Sequence, residues 1–373
     1  MRIQSFGLAA VLCAIPLTAQ APDARQQLVA YLNRIAFAQL QQRAQAVAAV
    51  QTQEQAERRK SAVRAKMLEL IGGLPEKRGA VPVRQFGTID GDGFRVEKIA
   101  YQSLPGLYVT ADVYVPASGP GPFPAVILTP GHEPTGKLGQ YNWAANLARA
   151  GILSLAIDPM GQGERLQHFD PELGESKVGQ GTGEHGMAAF STLLIGDHVA
   201  RYFINDGVRG IDYLSARKDV DPARIGAFGC SGGGTATAYL AAMDPRIKVA
   251  ATACYLTSMQ ELLPGTGNQE AEQSIPNFLA DGFDFGDWVE MAAPIPYAIV
   301  STEDDMFPFA GARQTFEEAK RIYGLYDAAD RIQWIHGPGR HGNLGPIGGQ
   351  IVSFLVRNLK PGAPEPTFGQ FKP

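Results

Sequence analysis

Cysteine is scarce in this chain: three residues in 373, at positions 13, 230 and 254. None forms a C-x-x-C pair, so there is neither a disulfide framework nor a zinc-binding spacing. Charge of one sign is also lacking. Lys and Arg number 33 against 37 Asp and Glu, a net charge of −4, which leaves no electrostatic footprint for nucleic acid or an anionic membrane. No apolar run reaches the length needed to span a bilayer; Phe6 to Leu17, about a dozen residues, is too short. No glycine-rich phosphate loop follows the first apolar strand, so nothing implies a nucleotide. The expectation is a protein with no cofactor, no metal, no nucleic-acid partner and no membrane span.

What is present is a globular composition, 45% hydrophobic and 19% charged, with 43 Gly and 26 Pro to serve many turns. Arg2, the apolar run Phe6 to Leu17 and Ala19-Gln20-Ala21 read as a signal peptide over 1–21, implying an exported protein, periplasmic or secreted. Export leaves Cys230 and Cys254. An oxidising compartment permits a disulfide between them, but a core of this size needs no staple, and buried free thiols are expected.

Residues 22–75 carry apolar positions at helical spacing (Leu28, Leu32, Ile35, then Val63, Met67, Leu70) and end at Gly72-Gly73. They read as a helical segment of two helices, with the Gln-rich stretch 41–57 read equally well as a solvated spacer. A domain over 76–373 follows. Strand-like runs Phe94 to Tyr101 and Leu107 to Val115 flank Pro105-Gly106 as a hairpin. From Ala125 onward, short apolar strands alternate with helical stretches, including one long helical stretch over Met187 to Arg217. The pattern implies an α/β fold: a mostly parallel, doubly wound sheet preceded by an antiparallel hairpin and an added N-terminal helical segment.

The chemistry concentrates at Gly229-Cys230-Ser231-Gly232-Gly233, a G-x-S-x-G pattern between the apolar strand Arg224 to Phe228 and an Ala-rich helix. A serine on such a turn is exposed at the sheet edge, and the helix behind it aims free N–H groups at any oxyanion formed there. Serine is not ionised at neutral pH, so it needs a base, and the base needs an orienting acid. In an open parallel sheet both come from the carboxyl ends of later strands. The acid belongs in Glu303-Asp304-Asp305, after the strand Pro296 to Ser301, and the base in His336 to His341, after the strand Arg331 to Ile335. His341, in a glycine-flanked loop, is the expected base, and His336, ending the strand, a structural residue. Asp304 is the expected acid, three residues past its strand and four before Pro308, similar to the G-x-x-D-x-x-V-P arrangement of many α/β-hydrolases; Asp305 is the alternative. Backbone oxyanion donors are expected from Cys230 or Gly232 and from His132 or Glu133, in the loop after Ala125 to Leu128. His168, His185 and His198 read as polar loop or surface residues.

From about Phe94 onward the chain resembles an α/β-hydrolase of the acetyl xylan esterase-like group. The matching residues are the Thr129 to Glu133 loop, the run Asp158-Pro159-Met160-Gly161-Gln162-Gly163-Glu164-Arg165, the Ser231 turn, Asp304 and His341. The Asp158 run is similar to the D-x-R-G-Q-G stretch of acetyl-sugar esterases, with Met160 where Arg is usual. The resemblance implies the α/β-hydrolase fold and a serine esterase removing a short acyl group from a small-molecule or carbohydrate ester. Glu164, Arg165 and Trp288 are candidates for substrate binding, and the longer insertions 164–186 and 257–290 for a cover over Ser231.

Glucuronoyl methyl esterases resemble the chain at Gly229-Cys230-Ser231 but continue with Arg where Gly232 stands. A prolyl oligopeptidase-type peptidase would need an N-terminal propeller that some fifty helical residues cannot build. A dienelactone hydrolase would carry Cys as nucleophile. A non-catalytic binding protein of the same fold would have no use for three competent triad residues.

Overall fold

The computed structural model describes residues 26–76 and 79–371; the expected signal peptide lies outside them. Two helices come first, α1 (Gln27–Ala48) and α2 (Gln53–Leu70). Antiparallel strands β1 (Val83–Gly91), β2 (Phe94–Leu104) and β3 (Leu107–Pro116) follow, then β4 (Phe123–Thr129), α3 (Tyr141–Arg149) and β5 (Leu153–Ile157). A two-residue-strand hairpin, β6 (Phe169–Asp170) and β7 (Glu175–Ser176), precedes α4 (Thr182–Leu194) and α5 (Ala200–Ala216). The rest of the sheet alternates as β8 (Val220–Cys230), α6 (Gly232–Met243) and β9 (Ile247–Ala253). The short α7 (Met259–Leu262), α8 (Phe285–Ala292), β10 (Tyr297–Asp304), α9 (Phe309–Gly324), β11 (Ile332–Arg340) and α10 (Gly348–Leu359) complete it.

Nine strands form one sheet in the order β1-β2-β3-β5-β4-β8-β9-β10-β11. The β1–β3 meander is antiparallel, β3 joins β5 antiparallel, and the strands from β5 to β11 run parallel to their neighbours. From β4 the chain steps one way to β5 and then the other way to β8. That reversal opens a crevice at the carboxyl ends of β4 and β8, where such sheets bind ligands. Strand residues alternate between two cores. Ala125 and Ile127 pack with α2, α5, α6 and α8 on one face. Val126 and Leu128 pack with α3 and α10 on the other.

Two element readings change. The Gln-rich stretch 41–57 is helical apart from residues 49–52, because its polar side chains anchor it to the body. Arg43, 6% exposed, donates from Nε to Asp287 at 2.7 Å and from both terminal nitrogens to Glu318 at 2.7 and 2.9 Å. Arg64 donates to the carbonyls of Ala242 and Met291, where α6 and α8 end, the groups a helix leaves unpaired. The long stretch 187–217 is two helices broken at 195–199, at Gly196-Asp197. No helix among the described residues is long and apolar enough to cross a membrane.

Removing Arg43 takes one of two cations from Asp287, whose side chain is fully buried and which keeps Arg59 and the Asp284 N–H. Arg43→Ala should therefore destabilise the chain by about 1–3 kcal/mol, the usual cost of losing charged hydrogen bonds in a buried cluster, read as a fall in the denaturation midpoint. A loss below about 1 kcal/mol would show that the cluster contributes nothing.

Candidate active site

β8 delivers Ser231 at the crevice with φ 61° and ψ −124°, a region non-glycine residues occupy only when their surroundings hold them there. Two contacts hold it. The Ser231 N–H donates to the Ala253 carbonyl of β9 at 3.0 Å, and Thr129 of β4 donates its hydroxyl to the Gly233 carbonyl at 2.8 Å. Gly233 has to be glycine, since a Cβ there would overlap the Thr129 carbonyl.

His341 follows β11 directly and brings the base to the serine. The Ser231 hydroxyl lies 2.9 Å from His341 Nε2, and His341 Nδ1 lies 2.7 Å from Asp305 Oδ1. Since Asp305 can only accept when ionised, Nδ1 carries the proton and Nε2 is left to receive the serine's. The Asp305 side chain is 1% exposed; the Phe307 N–H donates to it at 3.0 Å and the Thr302 hydroxyl lies 3.1 Å away.

The acid facing the histidine is thus Asp305, and the expectation of Asp304 is corrected. β10 does not stop at Ser301 but runs on to Asp304, which pairs with Arg340 of β11 across a register shift after Thr302. Asp304 closes the strand with its side chain in solvent, and the turn beyond it swings Asp305 inward. His336 is a structural residue inside β11, its ring tilted against Trp334 with centroids 4.5 Å apart.

Gly232 opens α6, so its N–H has no intrahelical acceptor, whereas Cys230 is still the last residue of β8, beside Ala253. On the facing loop the Gln162 amide donates to the carbonyls of Gly131 and Glu133 at 2.6 and 2.7 Å. It thereby fixes the Gly131–His132 and Glu133–Pro134 peptide units, which bracket the His132–Glu133 bond. Gln162 was not singled out in the sequence, although it lies inside the Asp158 to Arg165 run.

Asp158 and Arg165 of that run point inward, while Glu164 stays exposed. Asp158 is fully buried and accepts from the Lys137 amide and ammonium, both at 2.7 Å, and from the Thr110 hydroxyl at 2.6 Å. Arg165, 4% exposed, donates to the Asp158 carbonyl and to Asp206 at 2.9 and 2.8 Å. Glu164 pairs with Lys137 at 2.5 Å. These residues brace the loop, so Arg165 is not placed to meet a substrate. Trp288 is not either: it lies in α8 within the core, against Tyr239 and Phe278. Its aromatic character reflects packing.

The two insertions meet at the loop after β4. Glu272, from 257–290, lies 2.6 Å from His132 Nε2, and its other oxygen lies 3.2 Å from Nδ1 of His185, from 164–186. Burial opposes charge on His132, but the hydrogen bond and charge of Glu272 outweigh it and raise the imidazole's pKa. Burial likewise favours a protonated Glu272, yet the two histidines beside it drive its pKa well below the usual range. His185 and His198 are buried, contrary to the surface reading. A histidine's sequence neighbours do not show that a carboxylate from eighty residues away will face it.

Next to Asp158, burial pushes the Asp112 carboxyl up to about 6, against the pull of Lys137. Between the ordinary value near 4 and about 6 the folded chain therefore holds a proton that the unfolded chain has released. The resulting stabilisation is complete below the unfolded value and is lost as pH rises through 6. Over about two units this amounts to about 3 kcal/mol at most. Asp112→Asn should remove this slope, so urea denaturation from pH 4 to 7 should show the wild type losing stability relative to the variant. Parallel curves would overturn the assignment.

Cys230 and Cys254 are free thiols, Cys254 buried, in keeping with the expectation of no staple.

The profile of the acetyl xylan esterase (AXE1) family matches residues 86–283. The Bacillus subtilis (strain 168) protein YtaP, named as a hydrolase, is 26% identical over 325 residues, covering 82% of this chain and 99% of YtaP. Among solved structures, the methylesterase BT1017 superposes with a TM-score of 0.67 at 24% identity, covering 92% of this chain and 71% of that one. A carbohydrate esterase family 15 glucuronoyl esterase from Caldicellulosiruptor kristjansonii gives a TM-score of 0.60 at 15% identity, over 86% and 90% of the two chains. The topology of the sheet and these superpositions agree on the α/β-hydrolase fold.

Proposed function

The chain belongs to the acetyl xylan esterase family, a family of carboxylic ester hydrolases, and on that premise we propose that it removes a short acyl group, acetate first, from a carbohydrate or other small ester by a Ser231–His341–Asp305 triad. The observation that carries this reading is the unbroken line from Ser231 Oγ through His341 to Asp305, at 2.9 and 2.7 Å. Ser231 Oγ attacks the acyl carbonyl while its proton passes to His341 Nε2. The imidazolium so formed is steadied by Asp305 and returns the proton to the departing sugar oxygen. Water then repeats the sequence on the acyl-enzyme, releasing the acid and restoring the serine. The oxyanion of each tetrahedral intermediate is received by the Gly232 N–H at the start of α6 and by the backbone at His132 or Glu133.

The neighbouring reading, cleavage of a methyl glucuronate ester, draws support from the glucuronoyl esterase fold likeness. Position 232 argues against it. The arginine expected there in such enzymes has no room, because even a Cβ on Gly232 would come within 2.6 Å of the His132 imidazole. Acetate release from acetylated xylan, measured beside methanol release from a methyl glucuronate ester, separates the two. Acetate release with kcat/KM at least tenfold above that for the methyl ester is expected; preference for the methyl ester would overturn the acyl assignment.

A further inference from the structure

We propose that His132, His185 and Glu272 form a binding site for one divalent transition-metal ion of the zinc type, separate from the triad and clamping the oxyanion loop to both insertions. Their ligating atoms all lie within 4.8 Å of one another, on three segments far apart in sequence: the loop after β4, helix α4 and the 257–290 insertion. Two imidazole nitrogens and a carboxylate form a donor set suited to zinc, which accepts nitrogen and oxygen ligands at about 2.0–2.2 Å. Tetrahedral ligands at those lengths stand about 3.4 Å from one another; His185 Nδ1 and Glu272 Oε2 are 3.2 Å apart, while His132 Nε2, 2.6 Å from Glu272 Oε1, has to draw back on binding.

The decisive point is where the protons must sit. His185 Nε2 lies 2.8 Å from the Met160 carbonyl, which can only accept, so the proton of a neutral His185 is on Nε2. Nδ1 then presents a lone pair to Glu272 Oε2, itself an acceptor. Neither atom has a hydrogen-bond partner, and both are buried. Two acceptors facing each other in a dry interior call for a positive charge between them, which a second proton on His185 or a metal ion would supply. His132 adds the second imidazole of the donor set. Its Nε2 faces Glu272 Oε1 at 2.6 Å, and its other nitrogen faces Glu270 Oε1 at 3.8 Å. The non-ligating nitrogen of His185 thus meets an oxygen acceptor, the outer partner that orients metal-bound histidines and raises their basicity, whereas that of His132 stands beyond hydrogen-bond reach of Glu270.

The space needed for the fourth ligand adjoins the cluster. A cavity of about 20 Å³, large enough for one water, is lined by His132, His185, Glu272, Gln162 and Asp206. The free side-chain oxygens of Gln162 and Asp206 are also buried without partners. Binding would displace the proton shared between His132 and Glu272, so about one proton leaves per ion and affinity falls as pH drops.

The test uses untagged, chelator-treated full-length protein titrated with Zn²⁺ by calorimetry and with Co²⁺ by visible absorption. One equivalent should bind, with the intense d–d absorption of a four-coordinate cobalt site, and Tm should rise with free metal. His185→Ala and Glu272→Gln, each checked for native circular dichroism, should weaken binding by more than about 100-fold. If either fails to fold, His185→Gln takes its place. Cys254, Asp305 and His341 are a second cluster of ligating atoms, so His341→Ala is included and should still bind. Ser231→Ala should bind as well, which keeps the outcome separate from the esterase reading. No saturable binding, or binding lost in His341→Ala and kept in His185→Ala, would overturn the site.

Discussion

Ser231→Ala should lower kcat/KM for an activated acetate ester by on the order of 10⁴–10⁶-fold, the range seen when a serine hydrolase loses its nucleophile. The chemistry leaves little room for a smaller effect. Without Oγ no acyl-enzyme can form, and what remains is the oxyanion donors acting on a water. The loss should come without unfolding. Alanine keeps the Cβ and therefore the same demand on the φ 61° backbone, and the contacts that hold the turn, Ser231 N–H to Ala253 and Thr129 to Gly233, are made by atoms the substitution leaves in place. Tm should stay close to wild type. Activity within tenfold of wild type would remove Ser231 from the mechanism.

Asp305→Asn should cost on the order of 10⁴-fold in kcat, and Asp304→Asn less than about threefold. The large effect follows from the tautomer. Asp305 accepts the proton on His341 Nδ1 at 2.7 Å. An amide presenting NH₂ there would hold the imidazole with its proton on Nε2, facing the serine it has to deprotonate. Because the Asp305 side chain is 1% exposed, bulk water cannot take over its role. Asp304 lies at the strand end with its carboxylate in solvent. Kinetics of the two single variants decide the matter, and equal losses would mean that the loop moves as a unit rather than presenting one acid.

How far the site could be read from the residues follows from how local each signal is. The Ser231 turn was legible because its requirements are contiguous: an apolar strand, a glycine on each side of the bend, and a helix that begins at the next residue. His341 was legible for a similar reason, being the histidine of a glycine-rich loop after the last strand. The acid was not. Choosing between Asp304 and Asp305 needs the residue at which β10 stops and the register shift beside Arg340. One residue of error turns a strand side chain to the opposite side.

The Asp158 to Arg165 run misled in another way. Polar residues at a strand end suit substrate contact and loop bracing equally, and only the partners distinguish them. Lys137, Thr110 and Asp206 turn Asp158 and Arg165 inward, leaving Gln162 to reach the loop after β4. Trp288 went the same way, its ring spent on the core.

The amino-acid order alone thus settled the α/β alternation, the parallel sheet and the Ser231 turn, since each rests on periodicity or on steric needs within a few residues. Tertiary structure decided the rest: Asp305 over Asp304, the inward role of Arg165, and the meeting of His132, His185 and Glu272. A carboxylate acts on whatever faces it across a few ångströms of low-dielectric interior, and separation along the chain carries no record of that distance.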